Sequence, residues 1–253
     1  MRLENVLELE SERIISLVGG GGKSSIMYYL ADQLNKQGNI LVTTTTKIYL
    51  PELDKIDALI MATTLEQLLE ELKTALKREE KQVIVIGNDV DDGKLIGVPS
   101  EWVEVLADEF EGIKHILVEA DGARRRPFKL PRTDEPVIPI NTTKVLLVVG
   151  ASVIGKEFNN DSIYRAELAK GVFEQEAIGQ VSPEIIADII CREECYGKLK
   201  NNSYQVIPII NQVDDKIVYN QACSLAKILR EESFEKVLLT SLELFNPLVE
   251  VFE

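Results

Sequence analysis

The sequence predicts an α/β fold built on a mainly parallel sheet with helices on both faces. Three observations predict it. Short apolar runs alternate with amphipathic stretches along the whole chain, the order expected when strands are joined by helical crossovers. The runs are apolar at consecutive positions, as strands covered on both faces require. The first run passes through Gly19-Gly20-Gly21-Gly22-Lys23-Ser24 directly into a helical pattern, a strand–loop–helix order suited to holding a phosphate.

The elements follow in order. Residues 13–18 read as a short buried strand. Residues 23–36 read as a helix with Ile26, Met27, Leu30 and Leu34 on one face, stopped by Gly38-Asn39. Strands are expected over 40–44 and 57–62. A strongly amphipathic helix is expected over 65–80, carrying Leu65, Leu68, Leu69, Leu72 and Leu76 at helical spacing, and a β-branched strand over 82–87. Residues 88–98 form a polar turn or hairpin in which Asp89, Asp91 and Asp92 miss the calcium-loop spacing and cap the turn. A helix over 100–110 takes Ser100 as its N-cap, with Glu101 in the first turn. Strands are expected over 114–120 and 144–150, the second being the most apolar. Between them, residues 121–141 are rich in proline and arginine and read as an irregular insertion of a functional kind. Helices over 161–173, 183–194 and 217–232 and strands over 205–210 and 236–240 complete the pattern, with no internal repeat. The length suits a single domain over 1–253.

Composition narrows the function classes. The formal net charge is -14, which argues against non-specific binding to nucleic acid or to an anionic membrane. No apolar run approaches the ~20 residues of a membrane helix, and the charged first residues do not resemble a signal peptide. Cys191, Cys195 and Cys223 are too few and too unevenly spaced for a disulfide framework. The expectation is a soluble cytoplasmic protein. His115 opens a core strand with no nucleophile to serve and reads as structural.

Ligands of parallel sheets bind beyond the carboxyl ends of the strands, and the polar clusters fall there, after Val18, Val42, Val118 and Ile210. In the glycine loop, Gly19, Gly20, Gly21 and Gly22 let backbone N–H groups approach an anion. Lys23 can reach the β- and γ-phosphates, the Ser24 hydroxyl can ligate Mg2+, and Ser25 extends the helix N-terminus. The end of the loop fits the P-loop pattern, which makes the fold a P-loop NTPase-like three-layer sandwich. Leu17 stands where the pattern's first glycine would fall. The Gly-Gly-x-Gly-Lys-Ser form resembles the loop of the deviant P-loop ATPases and GTPases of maturation and partitioning, whose extra lysine would fall on Val18. The dinucleotide pattern G-x-G-x-x-G fails, because Ser24 or Ser25 takes its third glycine.

The strand ending Val118-Glu119-Ala120-Asp121-Gly122 supplies two carboxylates on one side of an extended chain. Glu119 or Asp121 is expected to hold Mg2+ or its water, with Asp121 available as a base. Arg124-Arg125-Arg126 suits bidentate phosphate recognition, and Arg124 is a candidate sensor. Thr45, in Thr43-Thr44-Thr45-Thr46, could complete the metal shell or sense a γ-phosphate. Asn211-Gln212-Val213-Asp214 resembles the base-reading motif of P-loop GTPases, with Asn211 and Asp214 in place and Gln212 where a lysine is usual. Thr240-Ser241 lies where such proteins keep a second base-contacting loop.

Together these segments, with Arg126-Pro127, Lys129 and Glu135-Pro136-Val137-Ile138-Pro139, resemble the YqeC family over nearly the whole chain. The resemblance implies a role in maturing a selenium-dependent molybdenum hydroxylase, with that enzyme or its molybdopterin cofactor as partner. Three functions remain open. One is a Mg2+-dependent NTPase using ATP or GTP to drive cofactor insertion or selenium delivery. Another is a kinase or nucleotidyltransferase acting on a small molecule such as a pterin. The third is a non-enzymatic chaperone switched by nucleotide.

Overall fold

The apolar runs become strands of one nine-stranded sheet in a computed structural model that describes residues 1–171 and 179–253. The chain opens with α1 (Leu3–Val6), β1 (Ile14–Gly19), α2 (Lys23–Leu34) and β2 (Asn39–Thr44). It continues through β3 (Lys47–Tyr49), β4 (Ala58–Met61), α3 (Leu65–Ala75), β5 (Val83–Gly87), β6 (Asp89–Asp91), β7 (Lys94–Ile96) and α4 (Ser100–Glu109). Then come β8 (Ile113–Glu119), β9 (Phe128–Lys129), β10 (Lys144–Gly150), β11 (Ile163–Tyr164) and α5 (Pro183–Cys191). The last elements are β12 (Gln205–Asn211), α6 (Lys216–Glu231), β13 (Val237–Thr240) and β14 (Leu248–Phe252).

The large sheet runs β14-β13-β12-β10-β1-β8-β2-β5-β4. Every pairing in it is parallel except β13 with β14. β1 therefore lies between β8 and β10, and the carboxyl ends of β1, β2, β8, β10 and β12 share one edge.

Alternation along each strand decides which helices cover which face. In β10, Val145, Leu147 and Val149 pack with Ile186 and Ile190 of α5 and with Leu225 and Leu229 of α6. Its Leu146 and Val148 pack on the other face with Met27 and Leu30 of α2 and Leu3 of α1. In β8, Ile116 and Val118 meet Leu68 of α3 and Val103 and Leu106 of α4, while Leu117 joins the α2 side. The result is a three-layer α/β/α sandwich with α1 and α2 on one face and the other helices opposite. Among the described residues no helix is long and apolar enough to cross a membrane.

The structure corrects several expected elements. Over 161–165 there is no helix. Ile163 and Tyr164 pair in parallel with Phe128 and Lys129, Asn159 Oδ1 accepts from the N–H groups of Asp161 and Ser162, and Arg165 is left-handed at φ 63. A 3-10 turn follows over Ala166–Gly171, and the end of the expected helix at Phe173 lies outside the described residues. Pro99, without a side-chain bond, takes the N-cap of α4, and Ser100 is its first helical residue. α3 ends at Ala75 and α5 at Cys191, short of the charged tails that extended both patterns. The strands β3 and β14 had no expectation. His115 is buried, with its Nδ1 2.6 Å from Glu12 O, and burial pulls its pKa down.

Leu147 sits fully buried in a central strand. Leu147→Ala is expected to cost about 2–5 kcal/mol, read as a lower midpoint in urea unfolding. A loss below about 1 kcal/mol would mean the α5–α6 face is far less tightly packed than its burial indicates.

Candidate functional site

The turn from β1 to α2 is possible only with glycine at its tightest points. Gly21 sits at φ 78, and a Cβ there would lie 2.1 Å from Gly150 N. Gly22, the N-cap of α2, sits at φ 109, and a Cβ there would press on the Asn211 amide nitrogen at 2.5 Å. The loop does not turn all its N–H groups outward. Gly19 N–H donates to both Asp121 carboxylate oxygens at 3.0 and 3.1 Å. Gly20 N–H donates to Val148 O at 2.9 Å and Gly21 N–H to Arg126 O at 3.0 Å. What stays open is the first turn of α2. Its N–H groups have no intrahelical acceptor, and no side chain caps them.

Lys23 is 4% exposed. Its ammonium donates to Gly19 O at 2.6 Å and lies 3.5 Å from Glu119 Oε1 and 3.1 Å from Asp121 Oδ1. Burial disfavours the charge, but Asp121 and Glu119 together overcome it and hold the Lys23 pKa above its ordinary value. Ser24 Oγ donates to Glu119 Oε2 at 2.6 Å. Burial pushes the Glu119 carboxyl up, against the pull of Lys23 and the Ser24 hydroxyl.

The two carboxylates of the β8 end have separate surroundings. Glu119 lines a cleft of about 1150 Å3 together with residues 21–25, Thr46, Arg124 and Arg125. Asp121 is 1% exposed and turned inward. Beyond Gly19 and Lys23 it lies 3.3 Å from Lys129 Nζ and accepts from Tyr196 OH at 3.4 Å. Lys129, fully buried, donates to Glu135 Oε2 at 2.7 Å, and Glu135 also pairs with Arg165 Nη1. Burial raises the Glu135 pKa, but the bonds and charges of Arg165 and Lys129 outweigh it and hold it at about 2.

The other expected site residues fall as follows. Thr45 gives its hydroxyl to Val137 O at 2.7 Å and its N–H to Glu119 O at 3.2 Å, while Thr46 lines the cleft. Thr44 Oγ1 donates to Glu119 O at 2.6 Å, so the threonine run ties β2 to the end of β8. Asn211 braces the loop, donating from Nδ2 to Gly21 O at 2.8 Å and accepting from Thr240 at 2.9 Å. Asp214 accepts from Ser241 Oγ at 2.6 Å. The neighbouring Gln212 lines the cleft from a left-handed φ of 64.

Arg124 and Arg125 stand at φ 48 and 62, a conformation that costs a non-glycine residue on the order of 1–2 kcal/mol. Arg124 lies over the Tyr164 ring at 5.2 Å and Arg125 over the Tyr49 ring at 3.8 Å. Tyr28, one helical turn after Ser24 in the cleft wall, keeps its hydroxyl buried without a hydrogen-bond partner among the described residues. Burial and the Glu119 charge both push its pKa up. The residue-by-residue reading of the sequence did not single out Tyr28, Tyr49, Tyr164, Arg165 or Tyr196. Tyr28 sits at i+4 from Ser24 on α2 and so faces the cleft by helical spacing alone. Tyr49, Tyr164, Arg165 and Tyr196 reach the site through contacts made far along the chain and carry no local signal in the sequence. A lysine at position 129 inside an apolar stretch was the one visible cue to them.

Among the described residues no group of three or more His, Cys, Asp or Glu side chains is arranged as a metal cage. The arrangement suits a cation that keeps most of its waters and takes one or two protein oxygens, as Mg2+ does. Ser24 and Glu119 offer that pair, beside the uncapped helix end that suits an anion.

A family model described as YqeC protein matches residues 15–167. A curated relative, "Uncharacterized protein YqeC" of Escherichia coli (strain K12), is 28% identical over 170 residues, covering 63% of this chain and 61% of the relative. The chain thus matches about three-fifths of that relative's length. The family model's span holds the glycine loop, Glu119, Asp121, the arginine turn, Glu135 and Arg165, and stops before Tyr196 and Asn211.

Glu135 gives a pH signature. Its folded pKa of about 2 lies below the ordinary 4.5, so its stabilising contribution is complete above pH 4.5 and is lost as pH falls toward 2. Glu135→Gln is expected to lower stability at pH 7 and to flatten the acid limb across that window, measured by urea unfolding at stepped pH. An unchanged slope would show that the Lys129–Glu135–Arg165 cluster does not couple to folding.

Proposed function

The chain belongs to the YqeC family, and we propose that it binds a Mg2+-complexed nucleoside triphosphate, ATP or GTP, at the β1–α2 loop. One observation carries the reading: the uncapped first turn of α2 opens on the cleft beside the Ser24 hydroxyl and the Glu119 carboxylate, 2.6 Å apart. The N–H groups of residues 22–25 receive phosphate oxygens. Ser24 and Glu119 hold the cation, directly or through water. The bound cation supplies charge neutralisation across the phosphates. Lys23 is the mobile element: its ammonium exchanges one carboxylate for a phosphate, and Glu119 is thereby freed for the metal shell. Asp121, enclosed by Lys23, Lys129 and Gly19, positions Lys23 and touches no ligand. Asn211 braces the loop, and Asp214, held by the Ser241 hydroxyl, is the group we assign to the base.

The activity we propose is triphosphate hydrolysis in the service of maturing a selenium-dependent molybdenum hydroxylase, the role the family resemblance suggests. A transferase reading is favoured by one specific feature, the pair of arginines on the same cleft. Turnover separates the two: hydrolysis with no acceptor supports the first, and product formed only with an acceptor supports the second.

Calorimetry with ATP, GTP and CTP, with Mg2+ and with EDTA, tests the binding. Lys23→Ala is expected to weaken the preferred nucleotide by about 10–100-fold, the worth of a charge-assisted bond. Ser24→Ala, which leaves the Lys23 ion pairs intact, should remove most of the Mg2+ dependence. Equal affinity in wild type and Lys23→Ala would refute the assignment.

A further inference from the structure

The cleft has a second cationic rim that the α2 end does not use. Residues 123–126 form a tight turn closed by Arg126 N–H donating to Ala123 O at 2.9 Å. Both central residues, Arg124 and Arg125, are left-handed, where glycine, asparagine or aspartate is the usual choice. The turn is fixed to the glycine loop, where Arg126 O accepts from Gly21 N–H at 3.0 Å, and to the end of β10, where Pro127 O accepts from Gly150 N–H at 2.7 Å. Its tip is therefore held at a set position relative to Lys23 and Ser24.

The neighbouring arginines are satisfied. Arg126 donates to Asn160 O and lies 3.6 Å from Asp161, and Arg165 pairs with Glu135. Among the described residues Arg124 and Arg125 have no carboxylate within ion-pair distance, in a chain of net charge -14. What fixes them is aromatic. Tyr164 lies under Arg124, and Tyr49 lies under Arg125 with Lys94 at 5.5 Å from the same ring. Tyr49 belongs to β3 and Tyr164 to β11, and both rings line the cleft together with the two arginines. The cleft's volume of about 1150 Å3 lies above the roughly 300–1,000 Å3 typical of a pocket for one small ligand.

We propose that Arg124 and Arg125 form a second anion subsite, which takes the phosphate group of a phosphorylated small molecule bound alongside the nucleotide. That a nucleotide is the neighbour rests on the function proposed above; the subsite itself does not. The planar guanidinium fork fits a phosphate in two-point contact, and stacking on tyrosine orients it before the ligand arrives. Left-handed non-glycine residues of this kind cluster at ligand-binding positions.

The test uses the full chain and inorganic pyrophosphate as the probe, titrated by calorimetry into three proteins: wild type, Lys23→Ala, and the double variant Arg124→Asn/Arg125→Gly. The double variant relieves the left-handed strain, so it should melt no lower than wild type. It should nevertheless bind the arginine-dependent pyrophosphate at least 10-fold more weakly, with its affinity for Mg2+-nucleotide changed less than threefold. Lys23→Ala should keep the arginine-dependent site. Four results overturn the subsite: no arginine-dependent binding up to roughly 10 mM probe, loss of all probe binding in a Lys23→Ala protein that still unfolds in one cooperative transition, a lower melting temperature in the double variant with unchanged probe affinity, or an equal loss of nucleotide affinity in the double variant. The last would assign both arginines to the nucleotide's own phosphates. Failure of every nucleotide to bind wild type would refute the proposed function while leaving the pyrophosphate comparison readable.

Discussion

Much of this architecture depends on one buried carboxylate. Asp121 accepts the first N–H of the glycine loop, faces the ammonium groups of Lys23 and Lys129, and takes the Tyr196 hydroxyl. Its partners come from the end of β1, the start of α2, β9 and the segment after α5. Buried charges are tolerated only when paired and hydrogen-bonded, and removing one partner strands the others. The loop geometry is thus set from below by electrostatics as well as from within by its glycines. Tyr196 stays neutral in this setting, because burial and the nearby Asp121 and Glu135 charges push its pKa well above the ordinary value. It can only donate to Asp121.

From Asp121 the charges alternate outward. Lys23 lies on one side, and Lys129, Glu135 and Arg165 follow on the other. Each member has a neighbour of opposite sign, which keeps the row affordable in a poorly solvated interior. Arg165 and Lys129 also approach the Tyr164 ring, at 4.6 and 5.9 Å, the same ring that lies under Arg124. The glycine loop and the arginine turn are consequently joined twice, once through the backbone hydrogen bond from Gly21 to Arg126 and once through this row of charges. A displacement of Lys23 alters the field felt at Asp121 first and at Lys129 next.

The sheet and its site edge were readable in the sequence because continuous apolar runs permit little else, and because glycine, lysine and serine after such a run have few other uses. β10 matches its expected bounds at Lys144–Gly150. Over 161–165 the structure departs from the expected helix because Ile163 and Tyr164 carry periodicity compatible with a helix, while their conformation is decided by pairing with β9, more than thirty residues earlier. α3 was read too long because the charged run after Ala75 continues a helical composition without continuing a buried face. Around the site, Lys23, Ser24 and Glu119 were legible from spacing. The different surroundings of Glu119 and Asp121 are not legible there: an extended chain puts both on one side, but β8 ends at Glu119, and Asp121 beyond it is drawn inward by Gly19, Lys23, Lys129 and Tyr196.

The departures of the loop from the standard phosphate-binding pattern follow from the same constraint. Leu17 and Val18 occupy the positions where a glycine and a signature lysine would stand, and both are fully buried strand residues. β1 therefore runs on to Gly19, and the loop is short. A short loop cannot wrap an anion with every N–H: those of Gly19, Gly20 and Gly21 are bonded to Asp121, Val148 and Arg126. Under the proposed function, anion affinity would come from the α2 end and from side chains. A loop with few donors of its own benefits most from cations held nearby by other elements, and the arginine turn, tied to Gly21 through Arg126 O, brings two of them to the same cleft.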